Sequence, residues 1–283
     1  MAVIIFIVNL VRPAEGHHFL WRVTSPDNRA AYIMGSIHLA DKGLYPLNEA
    51  IYKAFTESAI LVVEVNIEDM SGEAIASFIE NSGMSSDPAP LPQRLSPETR
   101  DALEKSGFYT WEMQKFQPWL AALAIQAEVM AQHGFLSQYG LDLHFIQKAK
   151  AREIVVLELE TMTEQLEMMA DMSPEEADLF LRAAVLELED LPKIMRKFLQ
   201  AWRTGDAEAF SQIFFQEYDK YPELLPLLDK IIVQRNKTMA ARLHQMISQH
   251  DGSLFVIVGG GHLVGDDNIL DILSGLGYKV QQQ

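Results

Sequence analysis

Ala31-Tyr32-Ile33-Met34-Gly35-Ser36-Ile37-His38-Leu39 and Phe255-Val256-Ile257-Val258-Gly259-Gly260-Gly261-His262-Leu263 share one pattern across more than two hundred residues. Each is an apolar run, then G-x-x-H-L, then a polar loop and a short amphipathic helix into another apolar run. A short apolar run bounded by turn residues reads as a buried strand. Glycine at its exit permits a sharp turn that needs no Cβ. The histidine three residues on is then held just beyond the carboxyl end of the strand, where open α/β sheets bind ligands. Two histidines delivered by the same device are what a shared site requires.

Working outward, Phe19 to Val23 and Ala31 to Met34 flank Ser25-Pro26-Asp27-Asn28, which is turn chemistry and predicts a hairpin. Leu47, Ile51, Ala54 and Phe55 repeat at helical spacing, and Ile60 to Val65 reads as a strand. Ser96-Pro97-Glu98 opens a helix that Gly107 closes. Trp111 to Gln132 is predicted helical with a kink at Pro118, and Trp111, Phe116 and Trp119 read as core. Leu141 to Ala151 is a helix leading into strand Glu153 to Leu159. Ser173-Pro174-Glu175-Glu176 is a capping box for a helix reaching Pro192. Further helices run to His250, followed by strand Leu254 to Val258, helix Asn268 to Ser274 and strand Tyr278 to Gln281. The fold class is α/β (α+β): a mixed β-sheet core from two strand-GxxH-helix-strand units. No low-complexity linker divides it, so residues 19–283 form one domain, with a helical insertion over about 71–250 interrupted by a strand at 153–160.

Two acids join the histidines. Glu64 lies near the end of Leu61-Val62-Val63-Glu64-Val65, and Glu160 closes Ile154 to Leu159. An unpaired carboxylate at a buried strand end costs several kcal/mol. The neighbouring sequence offers few basic residues, so a metal ion is the expected source of charge. Two imidazoles and one or two carboxylates suit Zn, Mn, Co or Fe with room for water. His144, which follows Asp142 on a helix, is a weaker candidate, and His17, His18, His133, His244 and His250 read as surface or cap residues.

Composition narrows the function classes. With 23 Lys and Arg against 39 Asp and Glu the formal charge is -16, which repels nucleic acid and anionic lipid. The absence of cysteine excludes disulfides, thiolate metal sites and a cysteine nucleophile. Gly259 and Gly261 do not begin a dinucleotide fingerprint, because the third glycine position falls on Val264. No H-E-x-x-H, Walker loop or G-x-S-x-G is present. Residues 153–190 hold twelve acids against one Arg, which reads as the solvated face of helices rather than an acidic docking surface. The apolar run Ala2 to Val11 is too short to span a bilayer and fits either a signal-peptide core, within residues 1–18, or a buried first strand. Export would place the protein in the periplasm or outside the cell; otherwise it is cytoplasmic.

At these residues the chain resembles the TraB/GumN family, whose superfamily holds the Tiki-type metallopeptidases. The resemblance runs from about Phe19 to Val280 and includes Gly35-Ser36-Ile37-His38, Val63-Glu64-Val65, Gln117-Pro118-Trp119, Gly140-Leu141-Asp142, Leu159-Glu160-Thr161 with Gln165, Ala201 to Asp206, Arg235-Asn236 and Val258 to Leu263. It implies a mixed sheet surrounded by helices, and a metal site built from the two G-x-x-H histidines and the acid after the first unit. For Tiki-type members it implies metal-dependent peptide cleavage.

The expectation is therefore a metal-dependent hydrolase, a peptidase, acting on a peptide or small amide or ester substrate with a divalent Mn, Co or Zn ion. His38, Glu64 and His262 are the expected ligands, with Glu160 as fourth ligand or general base. Arg235 would steady an oxyanion or substrate carboxylate, and Asn236 or Asp142 would orient a ligand. The alternatives are a peptide-sequestering protein whose metal site is structural or lost, and a haem- or metal-binding protein without catalysis.

Overall fold

The computed structural model describes residues 17–69 and 71–283. The apolar run Ala2 to Val11 lies outside them. Six strands form one sheet: β1 (Leu20–Thr24), β2 (Ala30–Ser36), β3 (Ile60–Val63), β4 (Val155–Glu158), β5 (Leu254–Gly259) and β6 (Lys279–Gln282), in the order β4-β3-β5-β2-β1-β6. The β1–β2 hairpin turns where the sequence predicts, with Asn28 in the left-handed region (φ 67°) and its N–H donating to the Ser25 carbonyl at 2.9 Å. β2, β5, β3 and β4 are mutually parallel, while β1 and β6 pair antiparallel at one side. Every residue of β5 is buried, as an unbroken apolar strand flanked by two parallel neighbours must be.

Parallel strands finish at the same edge of a sheet. The residues following β2, β3, β4 and β5 therefore meet there, although they are scattered from position 37 to position 262 along the chain. This topology brings together the strand-end residues singled out in the sequence.

Twelve α-helices are present among the described residues: α1 (Glu49–Thr56), α2 (Gly72–Phe78), α3 (Pro97–Ser106), α4 (Pro118–Gln132), α5 (Leu141–Ala151), α6 (Met162–Ala170), α7 (Pro174–Leu186), α8 (Leu191–Thr204), α9 (Ala207–Lys220), α10 (Leu225–Leu228), α11 (Gln234–Gln249) and α12 (Ile269–Gly275). Both expected helix caps form. Ser96 accepts from the Thr99 N–H and Gly107 closes α3 at φ 73°, while Ser173 and Glu176 make a reciprocal capping box on α7. The main core packs the sheet against residues of α1, α5, α8 and α11, including Phe55, Phe145, Trp202 and Leu243. A second cluster joins Leu103 of α3, Ile125 of α4 and Leu181 of α7.

Three local expectations change. Pro118 does not kink a continuous helix: a 3-10 turn at Trp111–Lys115 gives way to extended Phe116 and Gln117, and α4 begins at Pro118. Proline drives its predecessor out of the helical region, so the helix starts there rather than bending. α7 stops at Leu186, and Pro192 stands in the first turn of α8, where its missing N–H costs nothing. Trp119 is buried as expected, whereas Trp111 is 73% exposed on its 3-10 turn.

Candidate functional site

The two G-x-x-H segments leave the sheet differently. Ser36 of β2 stands opposite Gly259 of β5, so the second motif is displaced by one residue relative to the first. After β5 the chain closes into a 3-10 turn, Gly260–Leu263, which buries His262. After β2 it stays irregular, and the His38 side chain is 61% exposed.

Each histidine is fixed through Nδ1. His38 Nδ1 lies 2.8 Å from Asp142 Oδ2, an oxygen that also accepts from the Ser36 hydroxyl. Asp142 can reach it because α5 begins against the strand exit: the Leu141 N–H donates to the Ile37 carbonyl at 3.1 Å, and a Cβ on Gly140 would lie 2.2 Å from the His38 carbonyl oxygen. On the other side, His262 Nδ1 lies 2.7 Å from Oδ1 of Asn236, a fully buried residue of α11. The Asn236 amide nitrogen donates to the Asp267 carbonyl at 2.9 Å, which orients Oδ1 as the acceptor. Both imidazoles thus carry their proton on Nδ1 when neutral and present an Nε2 lone pair.

These lone pairs meet Glu64. Its Oε2 accepts the Gly259 N–H at 2.7 Å, and its Oε1 stands 3.9 Å from His262 Nε2. A Cβ built on Gly259 would lie 3.2 Å from Glu64 Oε2, 3.4 Å from His38 Nε2 and 3.4 Å from His262 Cδ2. The missing side chain of Gly259 is therefore the space around which the three residues gather. The next two glycines have another use: a Cβ on Gly260 would meet the Phe210 ring at 2.6 Å, and one on Gly261 the Phe214 ring at 2.6 Å.

The cation beside the carboxylates is a guanidinium. Arg235 of α11 donates from Nη2 to Glu64 Oε1 at 2.5 Å and to Glu160 Oε2 at 2.6 Å, and from Nε to Glu160 at 3.0 and 3.2 Å. Gln165 of α6 joins the same acids, at 2.8 Å from Glu64 and 3.2 Å from Glu160. Burial of two carboxylates therefore does not by itself demand a metal, contrary to the argument from neighbouring sequence. One compensating charge comes from Arg235, brought in by α11, and the Gln165 amide and the Gly259 N–H supply further hydrogen bonds. Glu160 is held by Arg235 and Gln165, and Arg235 spends its Nη1 on the Ile231 carbonyl. Gln165 is a site residue to which the sequence assigned no role; its signal was a polar side chain one turn beyond the Thr161 cap of α6. His144 stands apart, stacked beside Tyr45 and Tyr52. Among the described residues, no three His, Cys, Asp or Glu side chains stand as a ready-made metal cage.

The two histidines titrate in opposite directions. The Asp142 carboxylate beside it raises His38 to about 9. Burial lowers His262 to about 4 in spite of Glu64. Burial pushes Glu64 upward, but the surrounding imidazoles, Arg235 and the Gly259 N–H outweigh it and hold the carboxyl below its usual range. An unfolded histidine titrates near 6.5. The stability supplied by neutral His262 is complete above that value and is lost as pH falls from 6.5 toward 4. The stability supplied by charged His38 is complete below 6.5 and is lost as pH rises toward 9, more shallowly because water reaches this side chain. Urea midpoints of the metal-free chain between pH 4 and 9 are expected to peak near about pH 6.5. His262→Ala should flatten the acid limb and His38→Ala the alkaline one. Identical curves for both variants and the parent would contradict these environments.

Two relatives called "Uncharacterized protein YbaP", from Shigella flexneri and Escherichia coli, are each 23% identical over 266 residues, covering 92% of this chain and 94% of theirs. "Metalloprotease TIKI2" of Xenopus tropicalis is 22% identical over 93% of this chain and 59% of its own length. No solved structure matches. The TraB/PrgY/gumN family model matches residues 19–282, nearly all of what the structure describes, and on that match the chain belongs to this family.

Proposed function

We propose that the protein is a metal-dependent hydrolase that cleaves peptide bonds, with His38 Nε2, His262 Nε2 and Glu64 as the groups that hold a divalent Mn, Co or Zn ion. One observation carries this reading: Asp142 and Asn236 each take a histidine by Nδ1 so that both Nε2 atoms face Glu64 across the gap at Gly259. A partner on the far ring nitrogen fixes tautomer and orientation in metal-binding histidines, and two imidazoles with one carboxylate suit these ions. When bound, the ion would polarise the scissile carbonyl and make water acidic enough to supply hydroxide near neutral pH.

The chain's own residues do the rest. Neutral His262 needs no deprotonation to act as a donor, whereas His38 must give up its proton, so affinity should rise with pH toward 9. Arg235 anchors Glu64 and Glu160, and the hydrogen bonds it and Gln165 donate to Glu160 occupy the oxygens a base would use. This favours Glu160 as a clamp on Arg235 over the role of general base. Glu160→Gln is then expected to weaken metal affinity as well as turnover; unchanged affinity with turnover reduced roughly 100-fold would restore the base role.

A second reading is a peptide-sequestering protein whose metal site is structural or lost. It is favoured by Arg235, which already pairs with both acids. The two readings separate on incubating metal-loaded protein with a diverse peptide library and reading products by mass spectrometry. Cleavage blocked by chelator, restored by Mn, Co or Zn and absent from the His38→Ala, His262→Ala double variant is the expected result. Tight peptide binding without cleavage under any metal would favour sequestration.

A further inference from the structure

We infer that the substrate is a peptide cut at an internal bond, with a bulky apolar side chain on one side of that bond seated in an aromatic cavity beside His262, and a smaller side chain on the other side seated beside Asp142. The inference rests on the hydrolytic reading above and names its substrate class.

Two cavities flank the site. The larger, about 370 Å³, runs from His38, Glu64 and His262 to a wall of Met195, Phe198, Phe210, Phe214 and Ile232. The smaller, about 230 Å³, lies on the other side and is bounded by Val65, Ile67, Leu143, Met162, Ser137 and Gln165. His38, Leu39 and Glu64 line both, so the proposed reacting position is the divide between two recesses. An extended peptide crossing that divide places side chains on both sides of the bond above it.

The chemistry of the walls says what enters. At the far end of the larger cavity stand rings and aliphatic groups, with Phe198 and Phe210 centroids 4.7 Å apart. The charged groups that border the cavities are already engaged: Arg235 with Glu64 and Glu160, and Asp142 with His38 and Ser36. Among the described residues, no lining charge is left at either far end to receive a terminal ammonium or carboxylate, and burying one there unpaired would be costly. An interior residue of a peptide brings no such charge. The wall is also braced: Phe210 and Phe214 pack on Gly260 and Gly261, and Trp202 Nε1 of α8 donates to the Gly35 carbonyl at 2.6 Å. Hydrolysis adds the hydroxyl of one water to the carbonyl carbon and its remaining proton to the departing amine nitrogen, so no co-reactant is needed.

The test uses ten-residue peptides, each made both capped at its two ends and uncapped, identical except for Phe, Leu, Ala or Asp at one central position. Cleavage by the Mn-, Co- or Zn-loaded protein is read by mass spectrometry, and binding by fluorescence anisotropy with and without metal. Phe and Leu peptides are expected to exceed the Ala peptide roughly tenfold or more in kcat/KM, with the Asp peptide poorer still. Met195→Trp, which fills the cavity, should abolish that preference, and Phe214→Ala should shift it toward larger side chains. Equal cleavage of all four, or cleavage confined to uncapped peptides, would overturn the inference and leave the hydrolase standing. Should no metal support cleavage, the hydrolytic reading fails. Binding then decides the cavity: Phe-selective binding lost in Met195→Trp upholds the apolar recess, and unselective binding rejects it.

Discussion

Replacing Arg235 by methionine is expected to destabilise the fold by about 3–5 kcal/mol, because it strands Glu64 and Glu160 without their cation. Both carboxylate side chains are only 7% exposed, so water cannot take its place. The deficit should narrow at acid pH, since protonation relieves the stranded acids in the variant, whereas in the parent Arg235, the imidazoles and the Gly259 N–H keep Glu64 ionised below its usual range. Urea unfolding of parent and variant at pH 7 and pH 4, followed by circular dichroism, measures both. Added manganese or zinc should recover part of the loss in the variant if the proposed ion binds beside Glu64. A deficit below about 1 kcal/mol, the range of an exposed pair, would mean that the guanidinium is not the principal counter-charge.

Either His38→Ala or His262→Ala is expected to abolish stoichiometric metal binding, and the changes in their partners should grade the effect. Asp142→Asn and Asn236→Ala leave the coordinating atoms in place and disturb only their aim, so each should cost roughly 10- to 100-fold in affinity. The readout is isothermal titration of the metal-free protein with zinc or manganese, alongside circular dichroism to check helical content. If both alanine variants keep the parent's stoichiometry and affinity, the two motifs do not form one site. If Asn236→Ala is silent while His262→Ala is not, the buried amide is a core hydrogen bond and does not position the ring.

The features legible in the sequence were those written within a few residues of each other. The strand-Gly-x-x-His runs, the hairpin turn at Asn28 and the caps at Ser96 and Ser173 depend on local backbone chemistry and stand where that chemistry places them. The convergence of His38, Glu64, Glu160 and His262 was legible by a longer step, because each follows a buried apolar run and parallel runs end together. Partners across the fold were not legible. Nothing near Glu64 or Glu160 in the chain announces Arg235, which is 171 residues from one and 75 from the other. For the same reason the argument from unpaired carboxylates to a metal lost force, while the argument from paired histidines gained it through Asp142 and Asn236. The three consecutive glycines showed in sequence only as a loop. Their division of labour, one for the site and two for aromatic rings, depends on where α9 lies.

The position of β5 has a consequence for biosynthesis. The strand between β2 and β3 is made of residues 254–259, so during translation the first four strands and every helix through α11 emerge before the element that joins β2 to β3 exists. Until then β2 and β3 each expose an unpaired apolar edge, a hazard for aggregation and a reason to expect slow folding through distant contacts. For the proposed hydrolase the same order of synthesis would be a safeguard. A nascent chain lacks His262 and the wall-packing glycines, so a hydrolase of this design would stay inert on the ribosome and become competent only on insertion of its central strand.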